Sequence, residues 1–106
     1  MDLESIREYC LLKPDVTESF PFGEDTLVFK TVGKIFALMS LDQDRQINLK
    51  CDPDRAISLR EEYPFVIPGY HMNKVHWNTI LLDGRVRQEQ LKEWIDHSYA
   101  LVRKAK

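Results

Sequence analysis

The stretch Lys34–Ser40 is apolar in both of its alternating registers, Ile35, Ala37 and Met39 in one and Phe36 and Leu38 in the other. A strand lying half in water is apolar in only one register, so this strand is expected to be central and covered on two sides. Leu27–Val32 precedes it across Gly33, the usual supplier of positive φ in a tight turn, and the two runs predict a hairpin. Arg45–Cys51 behaves differently: Ile47, Leu49 and Cys51 alternate with Gln46, Asn48 and Lys50, which predicts a strand with one wet face. With 106 residues, 43% of them apolar, the chain has material for one core, and residues 1–106 are expected to form a single domain.

Helices are expected on either side of these strands. Asp2 is placed as an N-cap before Leu3, Ile6 and Cys10, with Glu4 in the first turn, and this helix should run to about Lys13 before Pro14-Asp15 stops it. Thr17–Asp25 contains Phe20-Pro21-Phe22-Gly23 and is expected to be a loop carrying two aromatic anchors. Asp52-Pro53-Asp54 is the clearest start signal in the chain, an acid at the cap followed by a proline where a missing N–H costs nothing. The second helix should end at Tyr63-Pro64. Tyr70–Met72 and His76–Leu82 are expected to pair as strands across Asn73-Lys74, with Asp83-Gly84 turning the chain. Leu91, Trp94, Ile95, Ser98 and Val102 mark one face of a long final helix that ends in Arg103, Lys104 and Lys106. The order αβββαββα, with no repeated βαβ unit, predicts an α+β two-layer sandwich with a largely antiparallel sheet packed by helices.

The charge is segregated. Lys and Arg minus Asp and Glu comes to −5 over residues 1–26, +2 over 27–51, −2 over 52–68 and +3 over 69–106. An anionic partner would therefore need a local basic surface with the N-terminal part turned away. Lys30, Lys50, Lys74, Arg85 and Arg87 are cations suited to phosphates, and Asn48, Asn73 and His76 are polar types that reach base edges. Pro68–Thr79 crowds imidazoles, amides, an ammonium and an indole together, and Tyr70, His71, His76 and Trp77 form a second candidate set, a small-ligand pocket. Those groups also serve as ordinary core and turn residues.

Catalytic patterns are missing. There is no glycine-rich phosphate loop or dinucleotide fingerprint, and His71 and His76 have neither helix-face nor strand-face spacing for a metal. Cys10 and Cys51 fall in apolar registers where inert thiols are expected, although a helix start beside Cys51 favours a thiolate. No enzyme activity, metal or cofactor is expected. The start Met1-Asp2-Leu3-Glu4 lacks a secretory pattern, no apolar run approaches the ~18 residues of a membrane span, and the cytoplasm is the expected location.

Six segments taken in order carry a resemblance: Ser19–Gly23, Asn48–Pro53, Pro68–Lys74, His76–Thr79, Leu82–Gly84 and Asp96–Tyr99. Together they resemble the MmcQ/YjbR family of small bacterial proteins. The resemblance implies an α/β sandwich related to secretion-chaperone-like folds, and a DNA-binding role by analogy with a double wing. It supplies no catalytic residues. Arg85-Val86-Arg87 departs from the proline or acid that members often carry before the last helix, and adds positive charge. Three functions are therefore expected to compete: a non-enzymatic DNA binder, a module that uses Phe20 and Phe22 for a protein partner or self-association, and a small-ligand binder.

Overall fold

The computed structural model describes residues 1–42, 45–69 and 72–104. Its elements are α1 (Leu3–Leu11), β1 (Val16–Ser19), β2 (Thr26–Thr31), β3 (Lys34–Ser40), β4 (Gln46–Lys50), α2 (Pro53–Glu62), β5 (Val66–Pro68), β6 (Trp77–Leu81) and α3 (Gln88–Lys104). The strands form one antiparallel sheet in the order β1-β2-β3-β4-β6-β5. Both expected caps form. The Asp2 carboxylate accepts from the Ser5 amide at 2.8 Å and that of Asp52 from Arg55 at 3.3 Å, with Pro53 opening α2.

The order is αββββαββα, one strand more than expected. Val16–Ser19 is an edge strand where the chain was expected to loop, and it begins just after Asp15, whose φ of 61° reverses the backbone. Its inward residues are Val16 and a carboxylate, so it shows no apolar alternation. Glu18 tolerates the inward position because Arg7 of α1 grips it with two hydrogen bonds of 2.7 and 2.6 Å.

The second correction concerns the last hairpin. The strand paired with β6 is Val66–Pro68, in the register Val66↔Ile80 and Pro68↔Asn78. The expected strand at Tyr70–Met72 lies partly outside the described residues; Met72 itself is not in a strand. Proline is tolerated here because β5 is an edge with only one partner. The connection runs from Gly69 to His76 rather than across Asn73-Lys74 alone, and His76 belongs to the turn, not to the strand. At the β2–β3 turn, Val32 and Gly33 have φ of 48° and 77°, the doubly positive geometry that suits strand twist.

Helices cover one face of the sheet. Leu27, Phe29, Met39, Ile47, Leu49, Ile80 and Val66 meet Ile6 and Cys10 of α1 and Leu91, Trp94, Ile95 and Val102 of α3 in one buried cluster. The apolar face expected for the last helix is the face it buries. Among the described residues no helix packs on the opposite sheet face. It carries a smaller cluster of Val28, Leu38 and Trp77 flanked by Ile35 and Met72; a bulge between Phe29 and Lys30 puts Ile35 on this face with Leu38 and Phe36 in the main core with Ala37 and Met39, so strict alternation does not hold along β3.

One seam between helices is pH-sensitive. The backbone N–H of Asp52 donates to Nε2 of His97 at 3.2 Å, a bond that requires a neutral imidazole. Burial pushes the His97 pKa below its ordinary value, and Arg55 adds to this while Asp52 and Glu93 oppose it. The stability contributed is therefore fully present above the unfolded pKa of about 6.5 and is lost as pH falls through the lower folded value. Urea titrations should show constant stability from about pH 8 to 7 and a decline below about 6.5, and His97→Gln should flatten that decline. A slope unchanged in the variant would count against this assignment.

Candidate functional site

The helix-free face is laid out in rows by strand register. Thr26, Ser40 and Gln46 are cross-strand neighbours in one row, and Leu38, Asn48 and Thr79 form the next. Lys30 pairs with Ile35, and Lys50 with Trp77, near the end where β2 and β4 finish. Among the described residues, the strand positions on this face include these two lysines and no carboxylate. Glu18 lies on the other face with Arg7.

Both hairpin tips fall at this same end. The β2–β3 turn closes beyond Thr31↔Lys34, and the β5–β6 connection leaves from Pro68↔Asn78. Three strand spacings of ~4.8 Å separate the two hairpins, about 14 Å from centre to centre. Lys74, Asn73 and His76 are exposed on the second tip. The carboxylates at this end turn toward the helices: Asp15 pairs with Arg103 of α3 at 3.3 Å, and Asp52 caps α2 beside His97.

The other candidates separate. Asn48 is only 7% exposed and its side-chain oxygen accepts from the Thr79 hydroxyl, so the wet face expected for β4 is closed over at its centre. The Asn73 oxygen is used within the turn, accepting from Val75 at 2.8 Å. Arg85 and Arg87 lie at the far end of the sheet, between β6 and α3. Arg85 is held by both oxygens of its own neighbour Asp83, at 3.0, 3.1 and 2.6 Å, and stacks 5.6 Å from the Phe65 ring. That guanidinium holds the Asp83 carboxyl below its usual range. Arg87 opens α3, its amide donating to Gln90 at 3.1 Å. Of the small-ligand set, Tyr70 and His71 lie outside the described residues, His76 is exposed, and Trp77 packs in the small cluster at 8% exposure.

A cleft does open on this face, away from that set. It encloses about 500 Å³ over Thr26, Leu38, Ser40, Gln46 and Asn48, between Phe22 and Met72. The two cysteines are both free and buried, and burial pushes the Cys10 thiol up to about 12 and raises that of Cys51. Among the described residues no helix is long and apolar enough to cross a membrane.

Arg60 is the residue that sequence reasoning missed. From the last turn of α2 its guanidinium donates to the Asn78 side chain at 2.6 Å, to the Trp77 carbonyl at 3.2 Å and to the Lys74 carbonyl. It thereby fixes the tip that presents Lys74. No spacing in the sequence links positions 60, 74 and 78, and an arginine near a helix end has an ordinary reason to be there.

The family model described as YjbR matches residues 11–101. The chain is 39% identical to the protein YbdF of Escherichia coli O157:H7 over 107 residues, covering 96% of this chain and 88% of that one. It is 31% identical to YjbR of Escherichia coli K12 over 100 residues, covering 93% and 85%. Among solved structures it is similar to the Deinococcus radiodurans protein DR2400, which carries the family-model domain DUF419, with TM-score 0.92, 39% identity and coverage of 97% and 79%. A crystal structure of a Pseudomonas syringae protein matches with TM-score 0.84 at 29% identity, covering 95% and 98%.

Proposed function

This chain belongs to the MmcQ/YjbR family, and we propose that it is a non-enzymatic, cytoplasmic DNA-binding protein whose lysine-bearing sheet end meets the phosphates. One observation carries this reading. Lys30 and Lys50 lie at one end of a sheet face without strand carboxylates, Lys74 stands on the adjoining tip, and the nearby acids turn to the helix layer. Three cations gathered at one end, beside a strand face without carboxylates, favour an anion there although the chain has a formal net charge of −2. Asn73 and His76 on the same tip are the groups nearest to bases. Arg85 and Arg87, at the opposite end, are assigned no part in the contact.

Fluorescence anisotropy with labelled DNA across a salt series tests the proposal. Three neutralised phosphates give a log–log salt slope of about −3. Lys50→Glu and Lys74→Glu should each weaken binding by at least about tenfold, and Arg87→Glu by much less. Salt-independent binding, or equal losses from all three variants, would overturn it.

A second reading has its own support. Phe20 and Phe22, the two aromatic anchors expected on this loop, are 50% and 66% exposed. Exposed aromatic pairs are rare without a partner, so a protein partner or self-association through this turn is the competing function. Sedimentation at widely spaced concentrations should then show association that Phe20→Ser removes.

A further inference from the structure

We infer that the cleft on the open sheet face holds an unstacked nucleobase, so that the preferred nucleic acid is a single strand; this rests on the nucleic-acid reading above and names its substrate class. Of the described residues, the polar ones over the cleft are Thr26, Ser40, Gln46 and Asn48, and none of these four is charged. Among the described residues, the side chains of the first three have no hydrogen-bond partner, and Asn48 commits only its oxygen, to Thr79. Two hydroxyls, a complete carboxamide and one NH2 group thus remain for an occupant, on a floor whose central amide is 93% removed from solvent. That set matches the edge of a neutral heterocycle that both donates and accepts. An ionic group would find no counter-charge among these described residues and would pay its desolvation.

The walls agree with the floor. Phe22 presents a largely exposed ring and Met72 a polarizable thioether at the rim, and Leu38 lies beneath, so the faces of a flat ring would meet apolar surface. The lysines complete the match. Lys50 follows Asn48 by two residues on the same face of β4, about 7 Å along the strand, and Lys30 occupies the same end. A base over Asn48 therefore brings its own phosphate toward the cations. A base inside a duplex has its edge paired and its faces stacked, and it enters only after being unpaired and unstacked.

The test compares one labelled mixed-sequence oligonucleotide of about twelve nucleotides, alone and annealed to its complement, at fixed low salt. The wild-type protein should bind the single strand at least about tenfold more tightly than the duplex. Phe22→Ala and Gln46→Ala, both at surface-accessible positions, should each lower single-strand affinity on the order of tenfold and leave duplex affinity unchanged. Equal affinities, a preference for duplex, or variants that leave single-strand affinity intact would overturn the inference while leaving the lysine-based reading in place. Binding to neither form would overturn both.

Discussion

Replacing Arg60 with methionine is expected to destabilise the fold by about 3 kcal/mol and to loosen the tip that carries Lys74. The guanidinium serves three acceptors, the side chain of Asn78 and the carbonyls of Trp77 and Lys74. Asn78 is 2% exposed on the helix side of β6, and its NH2 donates to the Ala56 carbonyl of α2 at 3.3 Å. Methionine keeps the packing of the stem but leaves the buried Asn78 oxygen unpaired, where water cannot readily enter. Arg60→Lys should recover little, because one ammonium cannot reproduce the planar fork that reaches both strand and turn. Chemical denaturation gives the first quantity, and amide exchange at Lys74–Trp77 gives the second. A loss below about 1 kcal/mol, with exchange unchanged, would show that the contacts are incidental. The variant also bears on the proposed function, under which it should weaken DNA binding without removing any lysine.

Ser98→Ala is expected to cost about 2–3 kcal/mol, far more than a serine-to-alanine change on an exposed helix face. Ser98 is fully buried against the sheet. Its hydroxyl donates to the Phe36 carbonyl at 2.6 Å and accepts from the Lys50 amide at 2.9 Å. The paired register of β3 and β4 ends at Ala37↔Leu49, so this hydroxyl takes over where the ladder stops. Alanine would raise helix propensity slightly and leave a strand carbonyl and a strand amide without partners in a dry site. Exchange of the Lys50 amide should accelerate beyond the change in global stability. If the variant is as stable as the parent, the two backbone groups have found each other and the account is wrong. Because Lys50 is a proposed phosphate contact, the same hydroxyl anchors the functional strand to α3.

Much of the framework was legible because local chemistry is unambiguous where it occurs. Asp52-Pro53 can only open a helix efficiently, and the stripe from Leu91 to Val102 has one period. The double apolar register of β3 foretold a strand with apolar side chains on both faces, and on the second face its own Leu38 is buried beside Val28 of β2 and Trp77 of β6 rather than under another helix. The errors have a common origin. β1 and β5 are short edge strands, and the sheet supplies their order through pairing, so a polar β1 and a proline-ended β5 carry almost no periodic signal.

The candidate site was only partly visible. Its residue types were legible, since lysines and amides on one strand register are what an anionic, base-bearing partner needs. Their grouping was not. Lys30, Lys50 and Lys74 belong together because β4 sits between the two hairpins and brings their tips to one end, while Arg85 is drawn away to Asp83. Asn48 and Asn78 look alike in sequence, yet one lines a cleft and the other is bolted to α2 by Arg60.

By itself, then, the amino-acid order determined the helices, the core strands and the chemical vocabulary of its surface, because caps and periodicity act over a few residues. Only the tertiary structure decided which cations share an end, which polar groups are left unpaired over a cavity, and which edge segments become strands. Those outcomes depend on contacts between positions far apart in the chain, and such contacts leave no spacing for local patterning to reveal.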